Sequence, residues 1–299
     1  MNVFENEKTV SMHFDSATEL LDFDFASTPY GMEGKSEHLQ GGYNPRGGSW
    51  LGKTNSNNED VITKSLVGDR DILPYLQDKI DKLAAIENAS LKESVQSIQQ
   101  IKRKRTFSDQ GDELDIEKVY NGQLDTAWSK TVRIEQDSKH KLVTLFIQNG
   151  GTAKKDANDS FWRSAIAVLL CQKLVAAGKS VKIIVGNASE GALVGTSKLQ
   201  TSSIVIKQYN ETLTMERLAA MTHLGFYRTF GFAAKYISDY KPDWGLGRTT
   251  KINSEAKLPV NLQNEIKAGH TKCIVIPELY NEYTAIAALQ NAYNELGGK

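Results

Sequence analysis

"KLVTLFIQNGGTAKKD", residues 141–156, is the stretch whose reading decides the fold. An apolar run climbs to Ile147 and stops at Gln148-Asn149-Gly150-Gly151-Thr152. A short apolar run closed by glycines reads as a buried strand entering a tight connection. The next segment, 159–177, reads as a helix closed by Gly178. Its apolar residues, from Phe161 and Trp162 to Leu174, circle most of the helix, which predicts deep burial. Further strands are expected at 181–185, 202–208 and 272–278. Between and after them come a helix from Thr214 to Met221, a helical stretch over 226–237, and a last helix over 283–296. Strands separated by helices predict a three-layer α/β domain over 132–299 with a mostly parallel sheet.

Residues 1–131 read as a helical, loop-rich N-terminal region. Asp15 or Ser16, with Glu19 following, signals the start of a helix over 14–23. Glycines then cluster up to about residue 60, and Asn57 or Asn58 opens a short helix over 59–66. From 71 to 105 apolar residues recur at Ile72, Leu76, Ile80, Leu83, Ile86, Leu91, Val95, Ile98 and Ile101, one helical face with a break near Asn88. LDIEKVYNGQLDTAWSK reads as one or two short helices ending at Trp128.

Composition excludes several classes. The 299 residues carry 36 basic and 36 acidic side chains, so no global positive field recruits nucleic acid and any such contact needs a local patch. No apolar run approaches the roughly 18–20 residues that span a bilayer, so no membrane partner is expected. The opening MNVFENEKTV lacks the apolar core of a secretion signal. Cys171 and Cys273 lie in apolar segments and read as buried, reduced thiols. The expected location is the cytoplasm, that of the host cell if the protein is viral.

Several segments in order carry a resemblance: Trp50-Leu51-Gly52-Lys53-Thr54, the basic KRKR before GDELDIEKVYNGQLDTAW, the strand KLVTLFIQNGGTA with its long helix, and TSSIVIKQYNETLTMERLAAMTHLGFYRTFGF. Over roughly residues 50–295 the chain resembles uncharacterised phage and mobile-element proteins grouped as a domain of unknown function, with a von Willebrand factor A-like fold. The resemblance implies a viral or plasmid origin, a Rossmann-like sheet and no known reaction. In that fold the first strand ends in an Asp-x-Ser-x-Ser loop whose hard oxygens hold a divalent cation. Here Gln148 stands in place of the acid and Gly150 in place of a serine; Thr152 alone keeps a hydroxyl. A degenerate site without metal or other cofactor is expected.

Other constellations are weaker. Gly47, Gly52, Lys53 and Thr54 match Gly-x-x-x-x-Gly-Lys-Thr, but no apolar strand precedes them and no helix opens at once. Lys102-Arg103-Lys104-Arg105 beside Phe107 suits phosphates and a stacked base, or else is the solvated end of a helix. The five histidines show no ligand spacing. The expected function is non-enzymatic: a binding or scaffolding protein that presents Gln148, Asn149, Gly150, Gly151 and Thr152 to a partner protein, in the setting of viral DNA replication. The alternatives are a nucleic-acid-binding protein using residues 102–105, or an enzyme using phosphate at 47–54 or a metal at Thr152 with Asp156.

Overall fold

The computed structural model of the chain describes residues 2–5, 9–16, 18–19, 68, 70–90, 102–108, 110–111, 113–134, 142–150, 157–190, 199–226, 248–249, 251–252, 254–269 and 271–297. The elements are β1 (Asn2–Glu5), β2 (Thr9–Phe14), α1 (Leu73–Ser90), β3 (Lys102–Ser108), β4 (Glu113–Leu114), α2 (Ile116–Tyr120), a 3-10 turn (Leu124–Thr126) and β5 (Trp128–Ile134). They continue with β6 (Leu142–Gln148), α3 (Phe161–Ala176), β7 (Ser180–Glu190), β8 (Leu199–Lys207), α4 (Met215–Thr222), β9 (Arg248–Thr249), α5 (Val260–Gly269), β10 (Lys272–Ile276) and α6 (Glu282–Gly297).

The large sheet runs β1-β2-β8-β7-β6-β10, with β9 paired to β7. Its five main strands are mostly parallel. β6 lies between parallel partners β7 and β10, and β2 pairs parallel with β8, while β7 and β8 run antiparallel. The mixed α/β architecture therefore agrees with the strand–helix pattern of the sequence. The sheet's origin does not: β1 and β2 come from the N-terminal region, so the α/β unit draws on residues well before 132. Of the helix expected over 14–23, Phe14 belongs to β2 instead and 18–19 are helical, residues 17 and 20–23 lying outside the described residues; Ser16 Oγ accepts from Glu19 N at 3.0 Å and Glu19 Oε2 from Asp15 N at 2.6 Å. The forward half is that of a capping box, while the glutamate reaches back one residue further, to Asp15 rather than Ser16.

Strand alternation sorts the sheet's two faces. Met12, Phe14, Val143, Leu145, Ile147, Ile183, Val185, Ile204 and Ile274 join a core with α1, α3, α4 and α6. Phe146, Ile184, Val205 and Cys273 form a second core beneath α5, which contributes Leu262 and Ile266. Burial pushes the Cys273 thiol up to about 12 and raises that of Cys171, which keeps both protonated. Among the described residues no helix is long and apolar enough to cross a membrane.

α3 is buried along nearly its whole length, as its circular apolar pattern predicts. α1 packs on it through Ile72, Leu76, Ile80 and Leu83, and the stripe continues to Glu87 rather than Ile86. A carboxylate carried into a core must be paired. Lys173 of α3 meets Glu87 at 2.9 Å, and the buried Tyr293 of α6 lies beside it, its hydroxyl pKa raised by burial and by the Glu87 charge. Removing one partner of a buried pair strands the other charge. Lys173→Met is expected to destabilise by roughly 2–3 kcal/mol, below the full penalty because Lys173 is 26% exposed. Adding Glu87→Gln should restore most of that loss, and chemical denaturation of the two single variants and the double measures the coupling.

β2 brings polar residues onto the α5 face. His13 Nδ1 and Ser203 Oγ are 2.8 Å apart, and Thr201 Oγ1 donates to Ser11 Oγ at 2.8 Å. His13 Nε2 is 3.3 Å from Asp15. Burial holds the His13 pKa below its ordinary value and Lys182 adds to the effect, against opposing pulls from Asp15, Glu265 and Glu19. The unfolded chain therefore takes up this proton at higher pH than the folded one. The associated stability is complete above the unfolded pKa of about 6.5 and falls as pH drops through it toward the folded value. Urea melts at pH 8 and pH 5.5 should show an acid loss that is smaller in His13→Gln.

Candidate functional site

The sequence directs attention first to the carboxyl end of β6. There Gln148 and Asn149 are 0% and 2% exposed. β7 outruns β6, and β9 occupies β7's edge past the end of β6 through Ser189↔Thr249 and Glu190↔Arg248. The Gln148 amide joins the two: its Oε1 accepts from Ile252 N at 2.9 Å, just beyond β9. Asn149 N donates to Gly186 O at 2.6 Å, and Asn149 Nδ2 to Met221 O at 3.0 Å. α4 runs back along the sheet and delivers Met221 and Thr222 to this point. Thr222 Oγ1 accepts from Ser164 Oγ at 2.6 Å, and His223 stacks 5.5 Å from Phe161.

Beneath the turn lies Arg163, the largest fully buried side chain among the described residues. It sits in the first turn of α3, within FWRSAIAVLL. Its Nη1 donates to Gln148 O at 2.5 Å and Gly150 O at 2.9 Å, and Nε to Ser160 O at 3.3 Å. The Tyr280 ring lies 5.4 Å from the guanidinium carbon. The Tyr280 hydroxyl is 2.9 Å from Gly150 O and 2.7 Å from Glu278 Oε1; with one proton it donates fully to one of them at a time. The network gathers two neutral amides and a buried cation at the carboxyl end of β6. Asn149 Oδ1 has no hydrogen-bond partner among the described residues. Gly151, Thr152 and Asp156 lie outside them, as do residues 47–54.

The basic cluster is not a helix end. Residues 102–108 form β3, paired antiparallel along their length with β5, while β4 pairs with β5 at Ser129 and Trp128. The alternation of strand positions outweighs the helical spacing that runs up to Ile101. α2 and the 3-10 turn pack onto this small sheet, with Asp115 capping α2 by accepting from Lys118 N. Lys118 Nζ stands 3.5 Å over the Phe107 ring and donates to Thr126 O at 3.2 Å.

This segment leaves its apolar side chains outside. Seven of the eleven exposed large apolar residues among those described fall within 107–128: Phe107, Leu114, Ile116, Val119, Tyr120, Leu124 and Trp128. Tyr120 is 86% exposed, and among the described residues of the stretch Ala127 alone is buried. Sequence reasoning passed over this surface. The signal was present in LDIEKVYNGQLDTAW, whose apolar residues form no single helical stripe. Elsewhere, a cleft of about 390 Å³ opens beside the first turn of α4, with Asn210, Glu211, Thr214 and Arg217 on its walls. Among the described residues no group of three or more His, Cys, Asp or Glu is placed to hold a metal.

The fold and these sites define a mixed α/β chain with a closed, hydrogen-bonded strand end and an apolar surface on a separate small sheet. The chain belongs to the family described as a domain of unknown function, DUF7192, which matches residues 3–298. No curated protein and no solved structure matches it.

The Arg163 clasp is testable by itself. Arg163→Gln leaves strand-end carbonyls short of donors at about 1–3 kcal/mol each, so a loss of roughly 3 kcal/mol is expected in urea melts. Arg163→Lys should recover little, because one ammonium does not reproduce a planar fork.

Proposed function

We propose that the chain is a non-enzymatic binding or scaffolding protein of a phage or related mobile element, acting near viral DNA replication. In this reading its sheet is a von Willebrand factor A-like domain whose metal-ion site is degenerate. The engagement of the Gln148 and Asn149 amides by Ile252 N and Met221 O supports the degenerate site. So does the place of β6, central in the sheet with parallel neighbours on both sides.

The observation that carries the binding role is the apolar surface over 107–128. An exposed cluster of this kind marks an interaction site far more often than a tolerated surface. A three-stranded sheet also needs an apolar face packed against something to be stable, and the described part of this one buries little beyond Ala127. A protein partner that covers Leu114, Ile116, Val119, Tyr120 and Leu124 supplies that packing. The partner surface thus lies on the small sheet rather than at Gln148–Thr152.

Tagged chain recovered from its native cells should bring down one stoichiometric protein, and Tyr120→Ser/Leu124→Ser should lose it. Because both side chains are exposed, the melting profile should stay within about 0.5 kcal/mol of the parent. Capture that is unchanged in the variant contradicts this assignment.

A further inference from the structure

The charges around the exposed apolar side chains of α2 narrow the choice of partner. Ile116, Val119 and Tyr120 stand at i, i+3 and i+4, on one side of the helix, and all three are exposed. Lys118 falls on the opposite side, where its ammonium lies over Phe107 and donates to Thr126 O. The helix thus sits on the small sheet by one side and leaves the other open. Leu124, in the 3-10 turn that follows, is 61% exposed and extends the apolar set.

The charged residues among these positions are nearly all acidic. From Glu113 to Trp128 the chain carries Glu113, Asp115, Glu117 and Asp125 against one base, Lys118. Glu113, Glu117 and Asp125 are exposed. Among the described residues neither the Glu117 nor the Asp125 carboxylate forms an ion pair. The whole chain balances 36 bases with 36 acids, so the excess is local. The next bases along the chain, Arg105 and Lys130, belong to the β3–β5 ribbon. Its register sets them two to three residues from the Ser108↔Trp128 end, about 7–10 Å of strand, which is close to a screening length in physiological salt.

This pattern discriminates between partners. Nucleic acid or an anionic lipid surface would bring phosphates onto carboxylates. A second copy docking symmetrically through this face would set the same acids against each other, because an isologous contact pairs a patch with itself. Like charges facing across an interface oppose docking. A protein segment that combines apolar with basic side chains supplies both missing parts. Its apolar side chains cover Ile116, Val119, Tyr120 and Leu124, and its cations meet the carboxylates at the rim.

We infer that the open side of α2 and the turn after it dock a basic, amphipathic segment of the protein partner, a conclusion that rests on the partner contact proposed above.

The test is fluorescence anisotropy of the full chain with a labelled peptide of leucine and lysine in amphipathic order. Two control peptides of equal length pair leucine with glutamate and serine with lysine. The leucine–lysine peptide should bind, and each control should bind about tenfold more weakly or less. Glu117→Gln/Asp125→Asn should weaken binding about fivefold at low salt and much less at high salt, because rim charges are screened. Glu113→Gln/Glu117→Gln is a second charge removal, should the first disturb the turn. Tyr120→Ser/Leu124→Ser should weaken binding about tenfold or more at either salt. Absence of leucine–lysine binding, equal binding of the glutamate peptide, or parent affinity in both charge variants or in the apolar variant overturns the inference. The partner contact itself is judged separately by capture from cells. A partner lost in Tyr120→Ser/Leu124→Ser but kept at every salt in the charge variants leaves that contact standing and removes the basic segment.

Discussion

The guanidinium of Arg163 donates to the carbonyls of Gln148 and Gly150 from a position with no solvent exposure. Where a parallel strand leaves its sheet, backbone acceptors lose their ladder partners, and in the interior each must be satisfied in another way. One planar fork, held in the first turn of α3, meets that requirement. It thereby ties the end of β6 to the first turn of α3. The Gln148 and Asn149 amides extend the same principle outward, tying the strand end to Ile252 and to the last turn of α4. Segments far apart in sequence are thus held at one point by polar contacts inside an apolar frame.

That closure shapes the functional reading. The carboxyl end of a central parallel strand is the usual crevice of an open α/β sheet. Here its described polar groups face inward, onto the protein's own backbone. Meanwhile the described residues of the small antiparallel sheet and the turns beside it display aromatic and aliphatic side chains. The large sheet holds the buried apolar cores, and the small one holds most of the exposed large apolar side chains among the described residues.

Much of the large sheet was legible in the sequence, because β6, β7, β8 and β10 are apolar runs and α3 is apolar all round. β2 was not. Its Ser11 and His13 look like loop residues until Thr201 and Ser203 are placed opposite them, and those partners are 190 positions away. α5 escaped notice because only Leu262 and Ile266 of its ten residues are buried. The stripe of α1 was read correctly up to Leu83 and then diverged, since a glutamate that pairs with Lys173 looks like surface in a one-dimensional pattern. At the candidate site, the glycine-rich end of β6 stands out in the sequence, but Arg163 is hidden inside an apolar helix. KRKR was misread because charge says nothing about period: the same four residues suit a helix end and a strand, and only pairing with β5 decides between them.

The central claim is that the chain meets its partner through the small sheet. A photoreactive phenylalanine analogue placed at position 120, or at 283 on α6, tests it in cells, since Tyr120 and Tyr283 are 86% and 83% exposed and differ chiefly in their surroundings. The account predicts a discrete cross-linked adduct from position 120 and none from 283. Adducts from 283 alone, or equally from both, would contradict it.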